Sequence, residues 1–82
     1  MKEARVGILT TVGEITIIPL EEVGIHHDSS AGGLFIYISK EPIGIVISSP
    51  QGKRAINIHG QQVPLEHYVQ SIKGLQRVLD TL

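Results

Sequence analysis

Two adjacent histidines followed by an aspartate, His26, His27 and Asp28, are the chain's densest group of metal-ligating side chains, since imidazole and carboxylate both suit zinc or nickel. Successive side chains of an extended backbone leave on opposite sides. A single ion would therefore draw further ligands from His59, His67 or a second chain. The stretch runs on into Ser29 and Ser30, and a hydroxyl beside an imidazole and an acid from Glu21, Glu22 or Asp28 is the raw material of a hydrolytic site. Neither serine has the glycine pattern of a nucleophile turn. A small metal-dependent or hydrolytic enzyme at residues 26–30 is thus the last of three readings, and no catalytic residue, cofactor or metal is assigned.

Phe35 and Tyr37 stand two residues apart, the spacing at which aromatic rings share one face of a strand and stack single-stranded bases. Asn57, His59 and Ser48 would add hydrogen bonds on that face, and Lys40, Lys53 and Arg54 would meet phosphates from the hairpin tips. Seven basic residues against eight acidic ones, a net charge of −1, weigh against nucleic acid, because such grooves need a strong positive field. Gly52, Lys53 and Arg54 also set backbone N–H groups beside two cations, an arrangement that cradles anions. The plainer role of charges at a hairpin tip is to discourage edge-to-edge pairing.

The elements that must position these groups are legible in the apolar pattern. Leu65, Tyr68, Ile72, Leu75, Leu79 and Leu82 are spaced 3, 4, 3, 4, 3, with Val69 and Val78 on the flanks, which predicts one amphipathic helix over residues 64–82. Pro64 suits its first position and Val63 would have to serve as N-cap. Gly74 falls away from the apolar seam, as a defect or a place of close backbone approach.

Before the helix the chain is rich in isoleucine, with 13 against 7 valines and 7 leucines, and β-branched residues favour pleated surfaces. Residues 4–12 and 14–20 read as a hairpin turning at Gly13, with Pro19 marking a strand end or a sheet edge. Residues 21–33 read as a long loop, in which Val23 and its neighbours up to His27 have the composition for a short strand. Residues 34–39, 43–49 and 54–59 alternate as three antiparallel neighbours, joined by turns containing Pro42 and Pro50. Leu34, Ile36, Ile38, Ile43, Ile45, Ile47, Ile56 and Ile58 share one phase, assigned to the helix. The opposite phase, with Phe35, Tyr37, Val46, Ser48, Asn57 and His59, is the face left for a partner.

Eighty-two residues make one domain, 1–82, with a thin core that association would reinforce. There is no cysteine, so disulfides, thiol nucleophiles and cysteine-based zinc sites are excluded. Residues 42–82 are mildly basic and residues 1–41 acidic, too slightly to imply a nucleic-acid or membrane footprint. The N-terminus lacks the apolar core of a signal peptide and no run is long enough for a membrane helix, so a cytoplasmic location without membrane partners is expected.

Lys53, Arg54, Ala55, Ile56, Asn57 and Ile58, followed after a short interval by Leu65, Glu66, His67 and Tyr68, resemble the strand and helix that close the C-terminal domain of the positive-cofactor-four type of transcriptional coactivator. The resemblance covers about the last thirty residues. It implies a sheet backed by a helix; that family forms dimers and binds single-stranded DNA.

The expectation is an α+β fold, an antiparallel sheet of about five strands in the order β-β-loop-β-β-β-α, with one C-terminal helix across one face. The expected function is a small non-enzymatic interaction module, self-associating as a homodimer or higher oligomer through its second sheet face or helix, with a protein partner as a further contact. Single-stranded nucleic-acid binding through Phe35 and Tyr37 is the alternative. The partner or ligand surface would comprise Phe35, Tyr37, Asn57, His59, His26, His27, Lys53 and Arg54.

Overall fold

The β-branched residues hold most of the chain extended. The computed structural model describes residues 2–28 and 35–82, and for Asp28 and Phe35 the strand placement alone. Among these residues six strands, β1 (Lys2–Val6), β2 (Thr10–Val12), β3 (Ile15–Asp28), β4 (Phe35–Ser49), β5 (Gly52–Asn57) and β6 (Gln62–Val63), precede two helices, α1 (Leu65–Ser71) and α2 (Leu75–Asp80). The strands form one antiparallel sheet in the order β1-β3-β4-β5-β6, with β2 also on β3. The α+β class and the antiparallel sheet are as the sequence predicts.

Two connections differ from expectation. Residues 21–28, read as loop, continue β3, and the segments 34–39 and 43–49, read as hairpin neighbours, belong from Phe35 onward to the single strand β4. The Lys40, Glu41 and Pro42 segment is no turn. Pro42 is tolerated because β5 reaches along β4 only as far as Gly44, so no described strand needs the missing N–H. Pro19 sits where β1 gives way to β2, and its carbonyl there accepts from Gly7 N at 2.8 Å.

The register jumps once. Leu20 pairs with Gly44 and Glu21 with Pro42, leaving Ile43 as the extra residue of a β-bulge. Before the bulge the odd-numbered residues of β4 lie on the same face as the even-numbered ones after it. Ile43 is thereby turned toward the helices, while Ile36 and Ile38 stay on one face with Ile45 and Ile47.

That face is not the one the helices cover. The core consists of Ile18, Leu20, Val46 and Ala55 from the sheet with Tyr68, Ile72, Leu75 and Leu79 from the helices, and Val46 and Ala55 are fully buried. The assignment of Ile36, Ile38, Ile45, Ile47, Ile56 and Ile58 to the helix is overturned, as is that of Val46, Ser48 and Asn57 to the open side. Leu34 lies outside the described residues. Gly44 and Ala55 make the Val46 face low enough for close approach: a Cβ on Gly44 would sit 2.6 Å from the Tyr68 hydroxyl.

The single helix over residues 64–82 is also replaced. α1 ends at Ser71, Ile72 is extended (φ −115°, ψ 110°), and Gly74 turns the chain into α2 with φ +90°, a conformation natural to glycine. Pro64, not Val63, is the N-cap residue, without a side-chain cap hydrogen bond. Helices this short are not stable alone. Their seam residues Tyr68, Ile72, Leu75 and Leu79 reach the core on both sides of the break.

Beyond the helices, the outer parts of β3 and β4 project as an arm. The molecule measures 56 × 22 × 22 Å with a radius of gyration of 15.6 Å, against about 12 Å for a globular chain of this length. No helix among the described residues is long and apolar enough to cross a membrane.

Candidate functional site

The open face of the sheet is built by alternation. In the body, Pro19, Ile45 and Ile56 form one cross-strand row and Ile17, Ile47 and Arg54 the next, while Val12 and Ile15 pair at the end of β2. On the arm, Val23 pairs with Lys40 and Ile25 with Ile38 on the same side. Ile36 is 64% exposed and Ile38 63%, where β-branched residues ordinarily earn their place by burial. Pro42, Ile45, Ile56 and Ile58 border a shallow apolar groove of about 370 Å³ on this face. Charge is confined to a few positions: Glu3 is exposed opposite Val23, Arg5 Nε donates to Glu21 Oε1 at 3.0 Å, and Lys40 and Arg54 are exposed. Nothing among the described residues covers this surface.

The residues expected to form the site are scattered. Phe35 pairs with Asp28, and its side chain lies outside the described residues, as do Ser29 and Ser30. Tyr37 is exposed and stacks on His26, ring centroids 4.6 Å apart and planes at 16°. His26 Nε2 is 3.3 Å from Ser39 Oγ, and Gly24 leaves room for that pair, because a Cβ there would fall 2.7 Å from Ser39 Oγ. His27 pairs with Ile36 on the isoleucine side, so the two adjacent histidines diverge.

Asn57 is committed to a turn. Its Oδ1 accepts from the backbone N–H groups of His59 and Gln61, each at 3.0 Å, and its Nδ2 donates to Gln61 Oε1 at 3.1 Å. His59 is exposed in that turn. Asn57 pairs with Gly44, seven positions along β4 from Tyr37, so roughly 20 Å separates the aromatic ring from the groups expected to assist it. Lys53 and Arg54 leave β5 on opposite faces, though both border an open depression of about 310 Å³ at the β4–β5 turn.

The structure therefore gathers a different set from the one expected. Ile15, Ile17 and Pro19 of β3 belong to the open face, and their signal in the sequence was the alternation Ile15, Ile17, Pro19 against Thr16, Ile18, Leu20, two apolar phases of which only one faces the helices. Among the described residues no group of three or more histidines and carboxylates is placed to hold a metal ion. What the arrangement offers is apolar area and hydrogen-bonding strand edge. No protein-family model, no curated protein and no solved structure matches the chain.

Proposed function

We propose that the chain is a non-enzymatic interaction module that self-associates, a second copy covering the isoleucine face. The observation that carries this reading is a sheet with apolar residues on both sides and helices on only one. An antiparallel sheet can present one face to water, but that face is then polar. Here it carries Ile17, Ile45, Ile47 and Ile56 in adjacent rows. Contiguous apolar surface of this kind marks an interaction site.

The surface area supports the same reading. The chain exposes 5954 Å², whereas a compact monomer of 8.9 kDa exposes about 4,800 Å². The excess, on the order of 1,100 Å², exceeds the roughly 800 Å² that each partner gives to a standard interface. A like copy is the partner this surface fits, because a twofold axis sets isoleucine on isoleucine, with Arg54 on the β5 side and the Arg5–Glu21 ion pair in the row between body and arm.

Light scattering coupled to size-exclusion chromatography tests this. The expected result is a particle of more than one copy, reduced in size by Ile45→Glu or Ile56→Glu with the circular dichroism of the fold retained. A single-copy particle at high micromolar concentration overturns it.

A further inference from the structure

The arm has an open backbone edge as well as an open face. β5 pairs with β4 only over residues 44–49, so residues 36–41 have β3 on one side and, among the described residues, no strand on the other. An open edge about six residues long remains, the length of a common strand, on which alternate residues direct N–H and C=O groups outward, ending where Pro42 has no N–H to offer. Exposed edges of this kind template pairing with another chain.

We infer that residues 36–41 pair antiparallel with the same edge of a second copy, joining two arms into one continuous sheet. A like copy fits for three reasons on the strand itself. Residues 36–39 carry no charge, so twofold pairing brings no like charges face to face at its centre. The bulge holds Ile36 and Ile38 on the isoleucine face, so cross-strand contact between copies makes that face continuous. The open edge also matches its own length when inverted, as an isologous contact requires.

This inference rests on the self-association proposed above but uses a different surface. Face and edge together give two isologous interfaces, which close at four copies when their twofold axes cross at right angles. Isotope-filtered Overhauser spectra of the full chain, mixed from labelled and unlabelled copies, are the test, with light scattering of wild type and Ile45→Glu alongside. The expected result is a four-copy particle, split to two copies by Ile45→Glu, with intercopy Hα–Hα contacts within residues 36–41. The same contacts in a two-copy particle unaffected by Ile45→Glu sustain the edge and remove the face. An associated particle without such contacts overturns the edge and leaves the face standing, and a single copy at every concentration overturns both. The wild-type spectra decide the point whether or not the variant folds.

Discussion

The Tyr68 hydroxyl donates to the carbonyl oxygen of Ile43 at 3.1 Å, tying the first helix to the one residue of β4 that has no cross-strand partner. A bulge leaves backbone groups unpaired, and this bond satisfies one of them with a side chain that is itself buried. Tyr68→Phe keeps the ring and strips the donor, leaving a part-buried carbonyl bare. The expected cost is about 1–2 kcal/mol, read as a lower midpoint in urea. An unchanged midpoint would show that water replaces the hydroxyl at no cost.

Gly44 and Gly24 make a contrasting pair. A Cβ at Gly44 meets the Tyr68 hydroxyl at 2.6 Å and the backbone carbonyl of Ile56 at 2.7 Å, whereas at Gly24 the close atoms are the ends of the Ser39 and His26 side chains. Backbone cannot step aside as a side chain can. Gly44→Ala should cost roughly 1–3 kcal/mol or more, and Gly24→Ala distinctly less, in parallel thermal melts. Equal losses would contradict the geometry.

Gly74→Ala distinguishes one helix from two by the sign of its effect. In an unbroken helix the change would stabilise by about 1 kcal/mol. At φ +90°, with nothing within 4 Å of the new Cβ, it should instead destabilise by about 1 kcal/mol, through backbone strain alone. Chemical denaturation reads the sign directly.

Asn57 tests the turn between β5 and β6. Its Oδ1 accepts two backbone N–H groups, so Asn57→Ala should cost about 1–2 kcal/mol. Asn57→Asp keeps both acceptor contacts and forfeits only the bond to Gln61 Oε1. It should therefore lose less than the alanine variant.

The sequence made the secondary structure plain wherever one period ruled. The seam Tyr68, Ile72, Leu75, Leu79 was readable because the break at Gly74 keeps all four on the core side. Ile36 and Ile38 do share a face with Ile45, Ile47 and Ile56, but through the bulge and not through the expected turn, and Ile43 leaves that group for the helix side. The side on which the helices lie was not readable, because both phases of the sheet are aliphatic, and the deciding features are small: Gly44 and Ala55, which let the helices approach. Residues 40–42 read as a turn because Pro42 resembles turn chemistry, and it is acceptable inside β4 because, among the described residues, no strand pairs there on the side away from β3. The expected aromatic site failed for a related reason. Tyr37 and Asn57 do share a side of the sheet, yet the uninterrupted length of β4 holds them far apart.

The extra residue at position 43 acts on the whole outer arm. Alternation along a strand has only two settings, and Ile36 and Ile38 carry even numbers where Ile45 and Ile47 carry odd ones, so a strand of this length paired without the bulge would set the two groups on opposite sides. Shortening the chain by Ile43 itself would leave Pro42 and Gly44 as ordinary neighbours opposite Glu21 and Leu20, with every other residue on its present side. One surplus residue thus brings two out-of-step runs of isoleucine into step, and the oily surface runs unbroken along the strand because of it.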